Sequence, residues 1–139
     1  MKKIILLALA LLALTAWVSS RSLVLMDATG QTATTTGTIF TFDSTAKPAP
    51  DSGLACRLTT DNNSGTTPTL NAKIQTCRTP LAADCEDLCV FTERTTETSG
   101  GQTIWLDKSA YGAFSYFRGI STLAGTNPNY DVKIELVYE

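Results

Sequence analysis

The chain has 139 residues, 43% hydrophobic and 17% charged, with eleven Lys plus Arg against thirteen Asp plus Glu and no His. That length suits one domain with its own core, and a net charge of -2 offers no basic surplus for nucleic acid. Without His, Ser-His-Asp and Cys-His catalysis are excluded, along with the commonest general base and metal ligand.

Residues 1–20, MKKIILLALALLALTAWVSS, open on two lysines, run apolar from Ile4 to Ala16 apart from Thr15, and close on Ser19 and Ser20. This is the layout of a secretory signal peptide, with cleavage expected before Arg21. The same run, residues 4–18, is the alternative membrane tether, with Trp17 and Arg21 as interfacial anchors, although it is shorter than a usual span. The first Cys is Cys56, which argues against lipid attachment at a new terminus. Loss of Lys2 and Lys3 leaves nine basic against thirteen acidic residues, a charge of -4.

From residue 21 to 139 the texture is that of a single all-β domain, with aromatic and β-branched runs between clusters of Thr, Ser, Gly and Asn. Strands are predicted over Ser22–Met26, Gly37–Asp43, Gly53–Thr60, Thr69–Cys77, Cys89–Glu97, Gln102–Asp107, Ala113–Thr122 and Tyr130–Glu139. STAKPAPDSG, with Pro48 and Pro50, is a loop, as are DNNSGTTP, the cysteine-rich segment after Cys77, TSGG and LAGTNPN. Short helical turns are expected at Ser109–Tyr111 and within PLAADCEDLC, the latter with Asp84 near its start. About eight strands at this spacing predict an antiparallel β-sandwich. A jelly-roll arrangement is preferred to an immunoglobulin-like one, because no Trp lies between Cys56 and Cys89.

Two segments sixty positions apart echo one another. SGTTPTLNAKI (64–74) and AGTNPNYDVKI (124–134) share five of eleven residues, including Gly-Thr-x-Pro and Lys-Ile. Each reads as a turn that delivers the chain into an amphipathic strand: Gly65 or Gly125 permits positive φ, and Pro68 or Pro128 stiffens the entry. Period two then puts Leu70, Ala72 and Ile74 inward, with Asn71, Lys73 and Gln75 outward. In the last strand Tyr130, Val132, Ile134, Leu136 and Tyr138 face in, while Asp131, Lys133 and Glu135 face out. Two similar junctions explain the echo; five identities are thin support for a duplication.

Cys56, Cys77, Cys85 and Cys89 behind a signal-like leader predict two disulfides in an oxidising compartment. Three pairings are open, and at least one bridge should tie down CRTPLAADCEDLC. A four-thiolate zinc site is the rival, disfavoured because Cys56 stands alone. Glycoside hydrolysis needs two carboxylates, but Glu86 with Asp87 and Glu93 with Glu97 read as solvated surface charge. Asp61 and Asn63 in DNNSG suggest a calcium loop but lack its terminal Glu, so an ordinary polar turn is expected. No phosphate-binding or dinucleotide fingerprint occurs. The expectation is a non-enzymatic module with no cofactor and no metal.

The ring cluster Trp105, Tyr111, Phe114, Tyr116 and Phe117 supplies the candidate contact residues, of which Trp105, Tyr111 and Tyr116 suit ligand stacking. Core or subunit interface is the preferred place for these rings over a sugar platform. The succession TATTTGTIFTF, GTTPTLNAKIQ, VFTERTT, YFRGIST and GTNPNYDVKIELVY resembles small β-sandwich structural proteins of phage virions, of the head-decoration and fibre type. The resemblance covers most of Ser22 to Glu139. It implies a non-catalytic particle component that binds other protein subunits. The expected contacts are loop ends such as DNNSGTTP and LAGTNPN together with exposed strand faces, in a homo-oligomer found in the virion or exported. The alternative is a secreted carbohydrate-binding module.

Overall fold

The computed structural model describes residues 21–41, 53–95, 100–107 and 115–138. Seven strands lie among them: β1 (Arg21–Gln31), β2 (Thr35–Thr36), β3 (Phe40–Thr41), β4 (Leu54–Cys77), β5 (Cys85–Val90), β6 (Gly100–Leu106) and β7 (Tyr116–Tyr138). Every pairing is antiparallel, as expected of an all-β chain. β4 and β7 run beside each other along their whole length, from Leu54 opposite Tyr138 to Cys77 opposite Tyr116.

The ribbon they form turns a corner at its middle, where the register slips between Asp61 and Thr69. Each long strand therefore contributes to two layers. In the first, β1 pairs with residues 130–138 of β7, these with residues 54–61 of β4, and these with β6. In the second, β2 and β3 pair with residues 116–121 of β7, these with residues 72–77 of β4, and these with β5. Counting β2 with β3 as one interrupted strand and each half of the long strands separately, the layers run 1-8-3-6 and 2-7-4-5. This is the eight-stranded jelly roll.

Alternation along the strands fills the space between the layers. Leu54, Cys56 and Leu58 face Leu70, Ala72 and Ile74 across the interior, with Val132, Ile134 and Leu136 beside them, all in one buried cluster. Each of these Leu, Ile and Val side chains contributes roughly 1.5–3 kcal/mol by leaving water. Gly119 gives the layers close approach, since a Cβ there would lie 3.3 Å from Ile134 side-chain atoms.

Several boundaries differ from the sequence reading. DNNSGTTP and LAGTNPN are not loops; both are strand, carried through the corner of β4 and β7. β1 continues past Asp27 to Gln31, and β5 begins at Cys85 and ends at Val90, because the partner halves of β7 and β4 supply ladders over those spans. The predicted 37–43 strand is two short pieces around Gly37, whose amide bonds to the Gly119 carbonyl at 2.8 Å. The helical turn near Asp84 is a single 3-10 turn, Ala82–Asp84, with Asp84 at its end. The leader, most of the Pro-rich loop, the expected turn at 109–111 and Tyr111 itself lie outside the described residues.

The echo is a two-fold relation in space. Thr66 pairs with Thr126, so the two Gly-Thr-x-Pro motifs sit side by side. Gly65 and Gly125 have φ of 128° and 105°, and Thr67 and Asn127 of 48° and 50°. The match extends outward by a shift of sixty between the second parts of the long strands and of sixty-three between β1 and β5. Ile134 opposite Met26 answers Ile74 opposite Cys89, and Tyr130 opposite Gln31 answers Leu70 opposite Arg94. Even the bulges correspond, skipping Leu25 in β1 and Leu88 in β5. The first two strands of each half pair with the long strand of the other, so the halves are intertwined.

Candidate interaction faces

Two braces hold the layers and their ends. Cys56–Cys89 links β4 in one layer to β5 in the other, and Cys77–Cys85 closes the connection between β4 and β5. All four cysteines are thus in disulfides, which excludes the zinc reading, and the Cys77–Cys85 bridge ties down the loop as expected. Two disulfides point to an oxidising, extracellular or exported environment. Among the described residues no helix is long and apolar enough to cross a membrane.

The outward side of the first layer carries a charge cluster. Glu135 accepts from Arg57 Nη2 at 2.8 Å and Nε at 3.0 Å, and from Lys133 Nζ at 3.0 Å. Glu135 is only 2% exposed, so the outward position predicted for it is correct while its solvation is not: the long stems of Arg57 and Lys133 cover it. Burial pushes its pKa up, and the bonds from Lys133 and Arg57, with the Arg57 charge, more than reverse this and hold it below the ordinary glutamate value.

The two-fold counterpart on the second layer uses Gln75 where the first has Glu135. Arg118 donates to Gln75 Oε1 from Nε at 2.9 Å and from Nη2 at 2.6 Å. Gln75 in turn donates to Asp87 Oδ1 at 2.6 Å, and Lys73 Nζ lies 2.9 Å from the same carboxylate. Gln75, expected in solvent, is buried beneath these partners. Bonds from Gln75 and then Lys73 hold Asp87 below the ordinary aspartate pKa. Glu93 accepts from Asn71 Nδ2 at 2.7 Å. Asp87 and Glu93 therefore brace strands on an exposed face, while Glu97 is outside the described residues.

The rings divide. Phe117 is core at 3% exposed, and Tyr116 is half-buried at the start of β7. Trp105, placed by sequence reasoning in the core or an interface, is 63% exposed on the outer side of β6, its ring edge 3.3 Å from where a Cβ on Gly53 would stand. Its neighbours Ile104 and Leu106 take the inward positions instead. Trp105 and Tyr116 belong to different layers, so they do not form one platform by sheet position. Two exposed apolar residues escaped the sequence reading: Val90 on β5 and Leu81 in the disulfide loop, each 64% exposed. Period two through the buried Cys89 and Phe91 puts Val90 on the outer face. An open depression at the same end is lined by Arg78, Asp84, Cys85 and Glu86.

No family model, curated protein or solved structure matches the chain.

Proposed function

We propose that this protein is a non-catalytic structural component of a virion or surface assembly, working through protein-protein contacts. The observation that carries the reading is the outward placement of Val90 and Trp105 on β5 and β6, strands of a body braced by two disulfides. Large apolar side chains held rigidly at the margins of a sandwich suit contact with another protein, because little ordering entropy remains to be lost on docking. The resemblance of the strand succession to phage decoration and fibre proteins supports the virion form of this reading. The jelly roll itself serves both capsid and lectin modules, so it supports the class without choosing the role.

A secreted carbohydrate-binding module is the second reading, favoured by the exposed Trp105 indole alone. Density-gradient separation of culture supernatant, with mass spectrometry of each fraction, separates the two. A particle component bands with nucleic-acid-containing particles. A free protein at the top of the gradient whose tryptophan fluorescence responds to glycans defeats the assembly reading.

A further inference from the structure

The four outer strands of the two layers are not equally protected. A free strand edge offers unpaired backbone groups to any other chain, and proteins guard such edges with charge, Pro, bulges or interruption. β1 carries Arg21 and Asp27 and has two register shifts against β7. β5 carries Glu86 and Asp87 and a bulge at Ile74/Gln75. β2 and β3 are two residues each. β6, Gly100–Leu106, has none of these devices: no charge, no Pro, and unbroken register with β4 from Leu54 opposite Leu106 to Thr60 opposite Gly100. Among the described residues no strand pairs with its other edge.

We propose that a second copy of this chain docks there, β6 against β6 antiparallel about a two-fold axis, extending the 1-8-3-6 layer through the dimer. The occupant follows from charge. A strand paired antiparallel with its own copy sets its central residue opposite itself and the others opposite residues equally far on the other side, and like charges opposed in a ladder repel. GGQTIWL brings no charge to that pairing in any register, whereas Glu86 and Asp87 near the middle of β5 would approach the same carboxylates of its copy. In the register centred on Thr103, the outward Trp105 of one copy falls opposite Gly101 of the other. The indole then covers a residue with no side chain, and most of its exposed surface leaves water. Two seven-residue strands make a small interface, so association in the range of ~1–100 μM is expected. The contact rests on the assembly reading for its use in a particle, not for its existence.

The test is sedimentation of the full chain, purified without reductant, over ~1–200 μM, a range bracketing that affinity. The wild type should pass from monomer to dimer. Thr103→Lys, which places a charge at the centre of the pair, should stay monomeric. Thr103→Lys should keep the wild-type far-UV circular dichroism, so that a loss of dimer is not a loss of fold. A wild type that stays monomeric throughout overturns the proposal, as does a dimer that survives Thr103→Lys. A monomer that still bands with particles leaves the assembly reading standing, whereas a β6 dimer found only free in the supernatant leaves the edge contact standing and removes its role in a particle.

Discussion

Gly65 and Asn127 stand in backbone contact at the corner of the β4–β7 ribbon, where a Cβ on Gly65 would lie 2.6 Å from the Asn127 carbonyl oxygen. The relation is reciprocal: a Cβ on Gly125 would lie 2.5 Å from the carbonyl oxygen of Thr67. Both glycines also have positive φ, so a side chain meets a clash and a disfavoured conformation together.

Gly65→Ala and Gly125→Ala should therefore each lower stability by about 2 kcal/mol or more, and by similar amounts. Gly101→Ala is the comparison, since its Cβ would meet only the Leu58 carbonyl oxygen, at 3.5 Å. Urea midpoints of the three variants check this. Three equal midpoints would mean that the corner relaxes without cost.

The two disulfides should contribute unequally. Cys56–Cys89 closes a separation of 33 residues and Cys77–Cys85 one of 8. The chain-entropy account gives about 3.7 kcal/mol for the longer loop and about 2.5 for the shorter. Replacing Cys56 and Cys89 together by Ala should lower the melting temperature more than replacing Cys77 and Cys85. The reverse order, read by calorimetry, would show that local bracing outweighs loop length.

What the sequence disclosed depended on range. Period-two runs such as YDVKIELVY placed Val132, Ile134 and Leu136 in the core, because alternation is a local property of the strand. The Gly-Thr-x-Pro echo was visible as letters, but turn chemistry alone read it as two loops. Gly and Pro at a folded corner of a continuous strand look the same as at a loop, and only the pairing of Thr66 with Thr126 tells them apart. Glu135 and Gln75 were assigned to the outer face correctly, yet their burial depends on Arg57 and Arg118 from strands distant in sequence. Of the two places expected for Trp105, core or subunit interface, its exposure excludes the core, because β6 has only its alternate residues inward.

Trp105 and Phe117 offer a direct check of that division. Phe117→Ala should cost about 3–5 kcal/mol as a core truncation. Trp105→Ala should change monomer stability by about 1 kcal/mol or less while weakening whatever contact the indole makes. Chemical denaturation at ~1 μM, at or below the range expected for dimerisation, isolates the monomer term. A large loss for Trp105→Ala would place the ring in the fold rather than on its surface.

Acid should weaken the outer-face clusters. Asp87 and Glu135 both have folded-state pKa values below their ordinary ones, so their contribution is complete above about pH 5, with unfolded values near 4. It is lost as pH falls through the lower folded values. Asp87→Asn and Glu135→Gln should each flatten the acid limb of the stability curve below about pH 4. Glu135→Gln should also lower stability at neutral pH, because Arg57 and Lys133 lose their anionic partner. An unchanged acid limb in both variants would assign acid sensitivity to other carboxylates.

Tyr130 gives the sharpest contrast between the two halves. Its ring is fully buried, and its hydroxyl has no hydrogen-bond partner among the described residues. Burial, with the negative charge of Glu93, raises its pKa, so the phenol stays neutral at ordinary pH. The two-fold counterpart is Leu70, equally buried and with no polar atom in its side chain, so the fold accommodates an apolar group at this place in the corner. Tyr130→Phe removes a buried donor and acceptor at nearly constant volume, and should leave stability unchanged or raise it by about 1 kcal/mol. Measured destabilisation above ~1 kcal/mol, the usual net worth of a made hydrogen bond, would instead reveal a partner for the hydroxyl in solution.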